Sequence, residues 1–195
     1  MKRVLLLLTL LVAPALAKDN TLIVPGKSVG PITARATRAD LVRLFGATNL
    51  KNATLSEAEG ETVAGSILFD RDPKRRMEVT WTKDKRVASL KFYGKTSLWH
   101  TAEGVTLGTS LARLEQLNGK PFKFSGFGWD YGGQILDWQG GKLGRALKNV
   151  WPTLDPGAED DSNEVVGDGA FFSDAVLKKN MHITVAVMRV QLNPD

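Results

Sequence analysis

The chain of 195 residues contains no cysteine and only two histidines. The absence of cysteine excludes disulfides, thiol catalysis and cysteine-ligated metals. The two histidines, His100 and His182, are 82 residues apart, so a zinc site would need carboxylates to complete it. There is also no phosphate-binding P-loop and no dinucleotide-binding glycine motif. We therefore expect no cofactor, and familiar catalytic signatures give no support for an enzyme.

Long apolar runs are absent beyond the first 13 residues. Lys2 and Arg3 precede the apolar run 4–13, and Ala15-Leu16-Ala17 has the small-x-small pattern of a signal-peptidase site. The sequence predicts a signal peptide over residues 1–17, cleaved after Ala17, and export to a bacterial periplasm. The run is too short to span a bilayer, and a lipoprotein anchor would need a cysteine, so we expect neither a membrane span nor a lipid anchor.

The rest of the chain has the composition of an ordinary globular protein, with 43% apolar and 24% charged residues overall. Loss of Lys2 and Arg3 with the leader lowers the formal charge from +5 to +3. Collagen, coiled coil, bulk disorder and integral membrane protein are excluded. We expect residues 18–195 to form a single domain with one core.

Two ten-residue segments, 37–46 and 110–119, align without a gap. Each starts with a hydroxyl residue suited to a helix N-cap and ends with a glycine suited to the C′ position. Leucines also recur at matching places between these ends. The alignment predicts two short helices within pseudo-repeats of about residues 30–93 and 104–192.

Strands are predicted after each helix. β-branched and aromatic residues are concentrated in 66–69, 77–81 and 87–93, with polar connections between these runs, and an alternating run closes the chain at 183–192. This order predicts an α+β fold with a mainly antiparallel sheet and two short helices. We interpret it as tandem helix-then-meander units that share one core.

The helix-ending pattern, a hydroxyl start followed by two spaced leucines and then glycine, resembles the repeat of the β-lactamase-inhibitor-protein-like and outer-membrane-assembly small-lipoprotein superfamily. The stretches 117–122 and 126–133 are similar to an uncharacterised family of exported bacterial proteins. These resemblances imply an exported, β-rich interaction module. Because the chain lacks both an anchoring cysteine and cysteines for disulfide bridges, the partners of neither group of superfamily members can be transferred to it.

An aromatic cluster surrounds Gly132-Gly133, a pair typical of a two-residue hairpin turn. Such a turn would place Phe127, Trp129, Tyr131 and Trp138 on one face of a hairpin. One interpretation is a buried face that supplies core packing. The other is a binding surface formed by Trp129, Tyr131 and Trp138, in which a tryptophan stacks on a ligand.

The opposite face of the same hairpin would carry Asp130 and Asp137 as diagonal neighbours, roughly 7 to 8 Å apart. A carboxylate pair at this spacing suits a general acid and base acting through a water molecule, as in inverting glycoside hydrolysis. The alternative function is therefore a carbohydrate-active hydrolase. The plainer interpretation is two solvated charges.

Charge is unevenly distributed along the chain. Seven acids and no base lie in 151–174, which suggests a solvated loop, or calcium binding through Glu159, Asp160 and Asp161. Basic residues are concentrated at 71–76 and 83–86, in strand connections. Such charge asymmetry is also compatible with a structural envelope protein oriented at a membrane surface. An exported address argues against nucleic acid as a partner.

These observations favour a soluble periplasmic binding or interaction module of unknown ligand, with an envelope protein or a glycan as the partner class. The hydrolase and the structural envelope protein remain as alternatives.

Overall fold

The computed structural model describes residues 20–157, 164–179 and 181–193. This part of the chain contains four α-helices and thirteen strands. The helices are α1 (Arg38–Phe45), α2 (Leu111–Asn118), α3 (Lys142–Ala146) and α4 (Ser173–Leu177). The strands are β1 (Leu22–Val24), β2 (Ser28–Val29), β3 (Ile32–Thr33), β4 (Leu50–Ser56), β5 (Thr62–Leu68), β6 (Met77–Trp81), β7 (Val87–Tyr93), β8 (His100–Thr101), β9 (Lys123–Ser125), β10 (Ile135–Asp137), β11 (Val150–Asp155), β12 (Ala170–Phe172) and β13 (Thr184–Gln191). The predicted signal peptide and the predicted calcium ligands Glu159, Asp160 and Asp161 lie outside the described residues.

The largest sheet has six strands in the order β11-β13-β7-β6-β5-β4, and every neighbouring pair is antiparallel. The α+β class and the mainly antiparallel sheet are confirmed. Strands β6 and β7 have the predicted bounds, whereas β5 starts four residues earlier than predicted. Strand β4 was missed because it is an edge strand, and its largely exposed residues have no strong apolar alternation.

Two smaller sheets complete the fold. One has the order β3-β2-β1-β8, with a parallel pair between β1 and β8, and the other has the order β10-β9-β12. The strands after α1 follow one another as a meander within the six-stranded sheet. Those after α2 divide, with β9, β10 and β12 in the three-stranded sheet and β11 and β13 in the six-stranded one.

The two predicted helices form for local reasons. Thr37 accepts the backbone N–H of Asp40, and the Asp40 carboxylate accepts the N–H of Thr37, which completes a capping box around the start of α1. The hydrogen bonds from Thr37 hold the pKa of Asp40 below its ordinary value. At the start of α2 the Ser110 side chain accepts the N–H of Arg113, and Arg113 at the third position offers no carboxylate for the reciprocal bond. Gly119 ends α2 in the left-handed conformation.

Both helices join the large sheet through the same type of contact. The Val87 N–H donates to the Ala36 carbonyl, and the Val185 N–H donates to the Thr109 carbonyl, each at 2.9 Å. Strands β7 and β13, which carry these donors, are antiparallel neighbours at the centre of the sheet. The short helices α3 and α4 were not predicted, since neither has a side-chain hydrogen bond at its N-cap.

A single hydrophobic core contains residues from all three sheets and from all four helices. Its largest fully buried side chain is Trp99, whose indole N–H donates to the Arg75 carbonyl at 3.0 Å and whose ring packs against Phe92. No helix in the described ranges is long and apolar enough to cross a membrane.

The hydrophobic core covers only one face of the six-stranded sheet. In β7, Leu90 and Phe92 are buried, whereas Lys91 and Tyr93 point to the opposite side, as alternation along a strand requires. The same alternation in β13 places Arg189 beside Lys91, its registered partner. This second face, called the open face below, carries the candidate site.

Candidate functional site

The open face contains a cleft of about 610 Å³. Side chains from four neighbouring strands of the six-stranded sheet line its floor, and aromatic side chains lie at its margin. The floor residues are Glu78, Lys91, Thr153, Val187 and Arg189, and the marginal aromatics are Tyr93, Tyr131 and Trp151. This volume lies within the range of small-molecule sites.

A buried ion pair lies in the floor of the cleft. Lys91 Nζ is 2.9 Å from Glu78 Oε2 and also donates to the Ser56 carbonyl at 3.0 Å. Glu78 is only 9% exposed, and the geometry of the ion pair leaves its Oε2 without an aligned hydrogen-bond donor. The floor of the cleft therefore contains a buried carboxylate whose charge is balanced by the Lys91 ammonium.

A second ion pair, between Arg189 and Glu57, divides the open face. Beyond it lies a further depression of about 490 Å³, which shares Glu57, Trp151 and Arg189 with the cleft. Both cations of the cleft are thus engaged by carboxylates. The lining residues include three acids, Glu57, Glu78 and Asp130, against two bases.

The β4–β5 turn, residues 57–61, forms a strap beside the cleft. Glu59 and Gly60 both have positive φ, +59° and +74°, and the Glu61 N–H donates to the Ala58 carbonyl, as in a type I′ turn. A glutamate in the left-handed region is strained by about 1 kcal/mol or more. Tertiary contacts support this conformation, because the Glu59 N–H donates to Asp130 Oδ2 at 3.0 Å and Tyr131 Oη donates to Glu59 Oε1 at 2.9 Å.

The segment 126–134, called the aromatic loop below, corrects the predicted hairpin. The register pairs Ile135 with Phe124 and Asp137 with Lys123, so the connection is a nine-residue loop and not a two-residue turn at Gly132-Gly133. Ser125 Oγ donates to the Tyr131 carbonyl, and the Trp129 indole donates to the Gly126 carbonyl. These bonds, together with that between the Leu154 N–H and the Gly133 carbonyl, stabilise the loop in place of strand pairing.

The predicted aromatic surface is split. Trp129 and Tyr131 form an edge-to-face pair at 5.4 Å and are 41% and 37% exposed. Trp138 instead packs against the buried Phe122, with 5.0 Å between ring centroids, and belongs to the margin of the core. Phe127 is buried. Of the predicted binding set, Tyr131 lines the cleft and Trp129 supports its ring.

The structure does not place Asp130 and Asp137 at the predicted positions of diagonal neighbours in a hairpin. Asp130 lies in the aromatic loop and lines the cleft, where it accepts the Glu59 N–H. Asp137 lies in β10, does not line the cleft, and accepts the Gln139 N–H at 2.6 Å. The two are not cross-strand diagonal neighbours, because the hairpin register on which that expectation depended is wrong.

Sequence reasoning missed the floor of the cleft. Glu78, Lys91 and Arg189 were counted only as parts of strands, although a charged residue within an apolar strand is a signal for a polar sheet face. Trp151 was likewise missed, because β11 was not predicted. The segment 26–30 has the letters of a G-x-S-x-G nucleophile motif, but Ser28 lies in an antiparallel hairpin and not at a strand-to-helix turn.

The strap contact is predicted to give Tyr131 an elevated pKa. The hydrogen bond to Glu59 and the charge of that carboxylate raise the pKa of Tyr131 above its ordinary value of 10.0. Because the folded state favours the neutral phenol, the contact stabilises the fold below pH 10 and is lost as pH rises through the raised pKa. Since the chain has only two tyrosines, the difference between ultraviolet titrations of the wild type and Tyr131→Phe isolates this group.

The matched control is Glu59→Gln, which removes the charge and is expected to return the Tyr131 titration towards pH 10. A wild-type Tyr131 that ionises at or below pH 10 would show that the strap contact is not formed in solution.

Comparison with known proteins identifies no relative: no family model, no curated protein and no solved structure matches the chain significantly. The family resemblances noted from the sequence stay predictions. The function is therefore argued from the residues of the cleft.

Proposed function

We propose that this protein is a binding module that holds a hydroxyl-rich ligand, a saccharide, in the cleft on the open face. The observation that carries the proposal is the lining of the cleft, which combines the exposed Asp130 carboxylate with the exposed rings of Tyr131 and Trp151 at its margin. A carboxylate accepts hydrogen bonds strongly, and a sugar hydroxyl donates one.

The charge balance of the cleft favours a neutral ligand over an anion. Lys91 is paired with Glu78, and Arg189 is paired with Glu57, so neither cation is left for a phosphate or carboxylate. An anion would have to break one of these pairs and leave a half-buried carboxylate uncompensated, which is costly. A neutral polyol can bind without breaking either ion pair, so it does not incur this energetic cost.

The aromatic margin suits the apolar faces of a sugar ring. Trp151 is 45% exposed and Tyr131 is 37% exposed, although large rings usually gain by burial. Gln134 and Thr153 line the same cleft and add amide and hydroxyl groups that both donate and accept. Apolar rings beside a few polar groups are the usual composition of a small-molecule site.

The proposed setting is the bacterial periplasm. It is supported by the leader-like pattern of residues 1–17, with its basic start, apolar run and small-x-small end. In that compartment the saccharides within reach are those of the envelope. Neutral envelope oligosaccharides are therefore the probes of choice.

The test is calorimetric titration of the full chain with these saccharides. We expect saturable binding in the wild type and a loss of affinity of about tenfold or more in Trp151→Ala, because the stacking surface is removed. The matched control is Phe172→Ala, which removes a ring of similar exposure, 43%, that does not line the cleft.

Phe172→Ala is expected to bind like the wild type. Either of two results would refute the proposal: none of the saccharides binds, or the two substitutions weaken binding equally.

A further inference from the structure

A second groove, of about 700 Å³, lies beside α1 at the β4 edge of the six-stranded sheet. It shares no lining residue with the cleft. Its polar lining residues are Arg38, Asn52, Thr54, Ser66 and Lys85; Trp81 also lines it, and the remainder is alanine and glycine.

The charge of this groove is positive and uncompensated. In the described part of the chain no acid lines it, and Arg38 donates only to neutral acceptors, Ser66 Oγ at 3.0 Å and the Leu50 carbonyl at 3.5 Å. The nearby carboxylate of Asp40 is engaged by Arg43 and by the N-cap of α1. Within the described residues, neither Arg38 nor Lys85 forms an ion pair with a carboxylate.

A buried hydroxyl holds the groove in shape. Ser66 is 1% exposed, and its Oγ accepts hydrogen bonds from the Arg38 guanidinium and, at 3.2 Å, from the Trp81 indole. A single atom therefore fixes the position of both a cation and a flat apolar ring. A guanidinium held in place loses less entropy when it binds an anion than a free one does.

We propose that this groove is a binding site for organic anions in which a carboxylate or phosphate monoester is attached to a flat apolar body. The anionic group lies between Arg38 and Lys85, because a guanidinium offers two parallel N–H donors to such a group and an ammonium adds a second charge. The body lies on Trp81 and against the small residues Ala53, Ala64 and Gly65 that line the groove. This site is independent of the saccharide cleft.

The experiment titrates the full chain with four small probes. Phenyl phosphate and benzoate carry both the anion and the ring, inorganic phosphate carries the anion alone, and benzyl alcohol carries the ring alone. We expect phenyl phosphate or benzoate to bind at least tenfold more tightly than either partial probe. The preference between these two distinguishes a phosphate ligand from a carboxylate ligand.

Two matched variants locate the binding. Lys85→Gln is expected to weaken it about tenfold, whereas Lys83→Gln, in the same turn but outside the groove lining, is expected to leave it unchanged. Both side chains are exposed, so neither change should impair folding. Equal effects of the two variants, or no binding of phenyl phosphate and benzoate to the wild type, would overturn the proposal.

Discussion

Replacing Gly133 with alanine is expected to lower the free energy of unfolding by about 3 kcal/mol or more. Gly133 has a φ of +72°, and a Cβ built there would lie 2.0 Å from the Leu154 carbonyl oxygen, a backbone atom that cannot rotate away. Relief requires the aromatic loop and β11 to separate, which breaks the hydrogen bond from the Leu154 N–H to the Gly133 carbonyl. Chemical denaturation of the full chain measures the change.

The matched control for this substitution is Gly104→Ala. Gly104 has a φ of +87° but no heavy atom within 4 Å of its built Cβ, so it carries the conformational penalty without the collision. We expect it to cost about 1 to 2 kcal/mol. If the two variants are equally stable, Gly133 is not packed against β11 as described.

Replacing Lys91 with methionine is the second change with a large expected effect, about 3 kcal/mol of lost stability. The Glu78 side chain is 11% exposed and the Lys91 side chain 20%, so removal of the ammonium leaves a buried carboxylate without its counter-charge. The substitution also deletes the bond to the Ser56 carbonyl, which ties the end of β4 to the sheet. Denaturant unfolding again supplies the measurement.

A second substitution separates the effect of the lost charge on stability from the effect of the altered packing. In the Lys91→Met background, Glu78→Gln removes the uncompensated charge and is expected to recover most of the loss. For comparison, Lys51→Met removes a cation from the exposed pair with Asp70, and we expect a much smaller change there. A double variant no more stable than Lys91→Met would contradict the assignment of a buried ion pair.

The helices show how much of the fold local sequence patterns predict. Thr37 and Ser110 cap their helices with the amide three residues on, and a glycine follows each helix, so the signals for α1 and α2 lie within ten residues of chain. Strands β6 and β7 were equally accessible, because their apolar residues alternate over a buried face.

The aromatic loop shows where this reasoning fails. The Gly132-Gly133 pair is a good local signal for a tight turn. Hydrogen bonds from Ser125 and Leu154 outweigh it, and the resulting register separates Trp138 from Trp129 and Tyr131. The preference of a Gly-Gly pair for a tight turn is overridden when several tertiary hydrogen bonds favour another conformation.

The sequence by itself determined the α+β class, the two capped helices and the central strands, because these depend on interactions between residues close together in the chain. Only the tertiary structure decided which sheet face is covered, and it alone brought the strap to the aromatic loop through Glu59 and Tyr131, 72 residues apart. Contacts over such distances have no local signature, since their energy depends on how the whole chain packs. The cleft on the open face and the second groove beside α1 likewise depend on contacts between distant parts of the chain.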